Sequence, residues 1–131
     1  MNATPPRPLA GLTILVVDDH RDTVEMFREY FAGFGATVVG AGNAKAALAV
    51  TETHVLDAVL VDLRMPGENG RWLLRELRSS RTPSANVPVF AVSGERHDQP
   101  DPARGFAGYF VKPVDLDALL AVLAPLPRRQ P

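Results

Sequence analysis

The stretch that decides the fold is Leu12–His20, LTILVVDDH. Its first six residues are apolar or β-branched and run unbroken into two adjacent aspartates. A continuous run, rather than an alternation, is what a strand covered on both faces requires, and that condition holds inside a parallel sheet. Two like charges at the end of such a strand repel unless a cation lies between them. The same nine residues therefore pose a structural and a functional question.

Working outward, four more segments read as strands: Ala36–Ala41, Ala58–Val61, Pro88–Val92 and Gly108–Val111. Helix-period segments separate them. Val24, Phe27, Phe31 and Phe34 fall on one amphipathic stripe that ends near Gly33–Gly35. Residues Ala44–Glu52 are alanine-rich, with Asn43 placed to cap them. Trp72, Leu73, Leu74 and Leu77 line a third helix, with Arg71, Arg75 and Arg78 expected on a solvated face. Leu116, Leu119, Leu120 and Leu123 form the stripe of the last, capped by Asp115 and stopped by Pro125. Strand–helix alternation at this spacing implies right-handed βαβ units. The expectation is one α/β domain with a doubly wound, five-stranded parallel sheet of flavodoxin-like order 2-1-3-4-5. Between Ser93 and Gly108 the stretch GERHDQPDPARGFA carries Pro100 and Pro102 and no apolar stripe, so the fourth helix is expected to be shortened or irregular.

Composition bounds the function. The 131 residues suit one domain, read as residues 10–125 between a disordered or extended lead-in at 1–9 and a C-terminal tail at 126–131. A net charge of −1 gives no electrostatic case for nucleic acid or an anionic membrane. The longest apolar runs are too short to span a bilayer. The absence of cysteine excludes disulfides, thiol redox chemistry and Cys-ligated metal, and makes a cytoplasmic location the expectation.

In open α/β sheets, ligands bind outside the carboxyl ends of the strands. The first strand ends in Asp18 and Asp19, the third in Asp62, the fourth in Ser93 and the fifth in Lys112. Singly, such an aspartate is an N-cap or turn former, Ser93 before Gly94 a turn residue, and Lys112 a surface lysine. Together they place three carboxylates, a hydroxyl and an amine on one rim. Lys112 is moreover one of only two lysines in the chain.

The motifs ILVVDDH, VLVDLRMPGENG, PVFAVSG and GYFVKPVDLDALL, in this order from Leu12 to about Leu123, resemble the bacterial two-component response-regulator receiver domain. The resemblance implies that Asp19 and Asp62 ligate Mg²⁺, with the Arg64 backbone carbonyl as a further ligand and Asp18 acting through water. Oxygen donors of this kind suit Mg²⁺. It also implies that Asp62 is the nucleophile, taking a phosphoryl group from a sensor histidine kinase or phosphotransfer protein with the help of Lys112. Ser93 and Tyr109 would be the switch pair, Tyr109 otherwise reading as a half-buried strand aromatic. A hydrogen bond from Ser93 to the phosphoryl group, worth roughly 1.5–3 kcal/mol, would shift a two-state equilibrium by about 10- to 150-fold. Arg64, Gly94 and Glu95 would flank the phosphoryl group, and Lys112–Pro113 would be a cis peptide. Because the fourth-helix segment departs from the family pattern, a monomer or an atypical dimer is expected, with residues 95–104 mobile.

Other motifs fall away on inspection. GFGATVVGAG is followed by a strand rather than a helix, so it is no dinucleotide fingerprint. DLRMPGENGRWL places Arg64 and Pro66 at ligand positions of an EF-hand loop and Leu73 where Glu is required. His20 adjoins the acid pair, but Mg²⁺ prefers oxygen, so it is discounted as a ligand; His54 and His97 read as loop or helix-end residues. Two rivals to the phosphoacceptor remain. One is a receiver-like module that binds partners constitutively without phosphorylation; the other is a metal-dependent phosphohydrolase, against which stands the lack of a specificity insert.

Overall fold

The computed structural model describes residues 7–94 and 105–129. Its strands are β1 (Thr13–Val17), β2 (Thr37–Ala41), β3 (Ala58–Asp62), β4 (Val89–Ser93) and β5 (Gly108–Val111). Its helices are α1 (Arg21–Gly33), α2 (Ala44–Thr53), α3 (Gly70–Arg78) and α4 (Leu116–Leu123). All strand pairings are parallel and the sheet order is β2-β1-β3-β4-β5, as the alternation of elements demands. The expected irregular fourth helix and Glu95 lie outside the described residues.

The unbroken apolar runs are explained by the two cores they serve. Successive side chains of a strand point to opposite faces. Ile14 and Val16 of β1, Leu60 of β3 and Phe90 and Val92 of β4 pack with Phe27 and Phe31 of α1 and Leu119 and Leu123 of α4. Leu15 and Val17, Val59 and Val61, and Val89 pack on the other face with Ala44 and Ala47 of α2 and Leu73 and Leu77 of α3. Truncating one of the fully buried leucines to alanine should cost about 2–5 kcal/mol. The stripe of α1 holds for Val24, Phe27 and Phe31, whereas Phe34 lies past the helix as its C-cap, half-buried, ahead of Gly35 at φ 103°.

Caps fix where each helix begins. Asn43 accepts from the Ala46 N–H at 2.8 Å, Asp115 from Ala118 at 3.1 Å, and Asn69, unanticipated from the sequence, from Trp72 at 2.9 Å. The arginine face of α3 is less solvated than expected. Arg78 is half-buried and donates to the Ala85 carbonyl at 2.9 Å, and its pKa is lowered first by burial and then by nearby Arg129.

The segments expected to flank the domain are joined to it. Leu9 is fully buried and belongs to the first core cluster, against which Leu126 packs. The Arg128 guanidinium donates to the carbonyls of Pro8, Ala10, Ala124 and Leu126, stapling the described part of the lead-in to the tail. Asp57, 1% exposed, accepts from the Thr13 N–H at 2.7 Å and the Arg129 N–H at 2.5 Å. Among the described residues no helix is long and apolar enough to cross a membrane.

Candidate functional site

Parallel register brings the strand ends level. Val17 of β1 pairs with Val61 of β3, so Asp18 and Asp62, the next residue of each, stand at the same edge of the sheet. Asp62 pairs with Val92, and Ser93 with Val111, which carries the edge across to Lys112. Ladder bonds continue one step beyond the strands: Asp18 N–H to Ala41 O at 3.1 Å, Leu63 N–H to Val92 O at 2.9 Å, and Lys112 N–H to Ser93 O at 2.8 Å. The rim is therefore set by sheet hydrogen bonding rather than by loose loops. Asp62 and Ser93 are the last residues of their strands, one position further than the apolar runs suggested.

Gly70 holds the loop after β3 tight against this edge. A Cβ at Gly70 would stand 3.0 Å from the Asp62 carbonyl oxygen and 3.1 Å from Leu63 Cδ2, so the first turn of α3 can approach β3 only without a side chain there.

At the rim, Lys112 Nζ donates to Asp62 Oδ2 at 2.9 Å and to Asp18 Oδ2 at 3.3 Å. Both carboxylates are buried, at 6% and 4% exposure, and an unpaired charge there would be costly. Burial acts to lower the Lys112 pKa, but the Asp62 hydrogen bond and the charges of Asp18 and Asp62 outweigh it, and the ammonium is held above the usual lysine value. The other Asp62 oxygen, Oδ1, accepts from the Arg64 N–H at 2.9 Å, which fixes the carboxylate plane. Ser93 is fully buried at the end of β4; Tyr109 is half-buried on β5, level with Ala91; an added Cβ at Gly94 would meet open space. Lys112–Pro113 is a cis peptide.

Asp19 is partly exposed beside Asp18. Among the described residues, the potential metal ligands that converge, each offering one atom within 4.8 Å of the others, are Asp18, Asp19 and His20; Asp62 is outside this group and joins it through Lys112, which bonds both Asp62 and Asp18. The residue that sequence reasoning discounted is thus His20, whose Nδ1 stands 3.1 Å from Asp18 Oδ1 and 3.3 Å from Asp19 Oδ1. The signal available for it was adjacency alone; its aim comes from the His20 N–H donating to Asp18 Oδ1 at 2.9 Å. A groove of about 320 Å³, lined in part by Asp18, Asp19, Arg21, Arg28 and Gly40, opens beside this group toward β2. His54 ends α2, its Nδ1 2.9 Å from the Thr53 hydroxyl.

This arrangement, acidic groups and an amine at the carboxyl ends of parallel strands in 2-1-3-4-5 order, has counterparts among known proteins. The virulence sensor protein BvgS of Bordetella bronchiseptica is 34% identical over 124 residues, covering 89% of this chain and 10% of BvgS. This chain thus spans only about 10% of the length of the first curated relatives it matches. A CheY-like response regulator receiver domain from Methylobacillus flagellatus superposes with a TM-score of 0.79 at 28% identity, covering 86% of this chain and 95% of that one. The response regulator TrrA of Thermotoga maritima, solved in complex with Mg²⁺-BeF, superposes with a TM-score of 0.76 at 26% identity, covering 86% and 96%. The sequence pattern of the response regulator receiver domain matches residues 14–124, which is most of the chain. With its sheet order and its rim in agreement, this chain belongs to the response regulator receiver domain family of two-component systems.

Proposed function

We propose that Asp62 is the phosphoacceptor of a two-component phosphorelay, and that its modification switches the chain's binding to a partner protein. The observation that carries this reading is the Lys112 amine, which bridges two buried carboxylates contributed by different strands. Three carboxylates at the rim against one ammonium leave a charge deficit that a divalent cation would fill. The donor set fits Mg²⁺: carboxylate oxygens of Asp18, Asp19 and Asp62, with the Arg64 carbonyl, are hard ligands. Bound there, Mg²⁺ would supply charge neutralisation between the carboxylates and the incoming phosphoryl oxygens.

The chain's own residues do the rest. An Asp62 carboxylate oxygen attacks phosphorus; the O–P bond forms as the P–N bond to the donor histidine breaks, and the imidazole leaves with the bonding pair. The Arg64 N–H keeps the carboxylate oriented for in-line attack. Lys112, already bonded to Asp62, has protons to donate to a phosphoryl oxygen as charge develops. Ser93 offers its hydroxyl from the adjacent strand, and Tyr109 on β5 is the aromatic that responds. A protein donor, a sensor histidine kinase or a phosphotransfer protein, is supported by the likeness to a virulence sensor protein. A groove of about 240 Å³ beside Lys112, formed with Met26, Phe27, Pro113 and Leu116, suits its approach, Met26 being 42% exposed. The only reaction this reading gives the chain is its own phosphorylation and dephosphorylation, and a cytoplasmic setting suits it.

Incubation with Mg²⁺ and acetyl phosphate, read by intact mass, tests the proposal. Wild type should gain one phosphoryl group and Asp62→Asn none. An unmodified wild type, whose NMR spectrum also ignores beryllofluoride, would leave constitutive binding as the function.

A further inference from the structure

The phosphoacceptor reading makes no use of His20. Its position is nonetheless specific: the backbone N–H folds onto Asp18 Oδ1 at 2.9 Å, and the ring nitrogen Nδ1 then stands 3.1 Å from that oxygen and 3.3 Å from Asp19 Oδ1. One donor atom from each of the three residues falls within 4.8 Å of the others, a span that a single ion can occupy. The ring is 70% exposed and makes no side-chain cap to α1, so it is free to adjust to an ion, whereas Asp18 is fixed by burial and by Lys112.

We infer that His20 is a direct nitrogen ligand of the divalent ion held at this rim, and that it sets the metal preference. The inference rests on reading the rim as a metal site. An imidazole adds little to the binding of hard Mg²⁺, which favours oxygen and keeps its waters. It adds more for first-row transition ions, whose affinities for mixed nitrogen and oxygen sites rise from Mn²⁺ onward. A receiver with this residue therefore favours Mn²⁺ over Mg²⁺ more than an all-oxygen rim does. The competing account is that His20 merely pairs with the two carboxylates while no ion is bound and leaves when one arrives.

Electron spin echo spectra of the Mn²⁺-loaded full chain separate the two. Direct coordination gives ¹⁴N modulation from a ligated imidazole in wild type, absent in His20→Ala. Calorimetric titration with MnCl₂ and MgCl₂ should show the Mn²⁺-to-Mg²⁺ affinity ratio falling about tenfold in His20→Asn, the scale on which supporting groups tune metal centres. Wild type without nitrogen modulation, or a ratio unchanged by His20→Asn, overturns the inference. Labelling by acetyl phosphate with Mg²⁺ in the same samples distinguishes the failures. Labelled Asp62 without nitrogen coupling defeats only the His20 assignment; no binding of either ion and no labelling defeats the phosphoacceptor reading as well.

Discussion

The strand β3 carries an aspartate at each end, and the two are buried to similar extents: Asp57 at 1% exposure just before the strand, Asp62 at 6% as its last residue. Their surroundings differ in kind. Asp57 has both oxygens taken by main-chain N–H groups, a buried one from Thr13 in β1 and a part-buried one from Arg129 in the tail. Asp62 has one oxygen on a main-chain N–H and the other on the Lys112 amine, a donor at the tip of a flexible side chain. Donors of the first sort make a carboxylate structural, because removing it leaves the buried Thr13 amide without this acceptor. A donor of the second sort can be transferred to another acceptor, which suits a carboxylate to chemistry.

The largest effects separate the two aspartates. Asp62→Asn should abolish phosphoryl uptake while leaving the urea midpoint near wild type; Asp57→Asn should do the reverse, retaining uptake and losing about 1–3 kcal/mol of stability in the same titration. Uptake that survives Asp62→Asn would show that another carboxylate is the acceptor. Next in size, Lys112→Met should slow phosphoryl uptake by on the order of 100-fold or more, as loss of a preorganised charge donor does, read as the rate of mass gain. Gly70→Ala sharpens the question of how finely Asp62 is placed. Its Cβ would sit 3.0 Å from the Asp62 carbonyl oxygen, so a several-fold slower uptake is expected in a protein whose circular dichroism is unchanged. The smallest effect belongs to the staple: Arg128→Ala should lower stability by about 1 kcal/mol, since its carbonyl partners are exposed enough to turn to water, with no change in uptake.

How legible each end was in the sequence follows from the same contrast. The upper rim could be read because a continuous apolar run stops at the residue that matters: LVV stops at Asp18, AVLV at Asp62, GYFV at Lys112. Parallel pairing then aligns those stops without further information. The lower end could not be read so. Asp57 before a strand looks like any turn aspartate, and its partner Arg129 is 72 residues away in a proline-rich tail with no periodicity. Arg128 reaches Pro8 across 120 residues by single hydrogen bonds that leave no spacing to detect. The place of His20 beside Asp18 and Asp19 was hidden for a subtler reason. Preference of Mg²⁺ for oxygen argued against it, while its orientation depends on one main-chain bond to Asp18. The caps at Asn43 and Asp115 were legible because residue type and position agree; Asn69 was hidden in a glycine-rich loop motif that pointed to other chemistry.

Strand β5 is the shortest of the sheet and lies at its edge, paired on one side only with β4. Yet the side chain that follows it passes beyond β4 to grip groups on β3 and β1. One lysine is therefore a guy-rope from the middle of the sheet to its most weakly moored member. A gain of charge at Asp62 would alter the tension on that line and load the edge strand β5 directly, with no helix acting as intermediary.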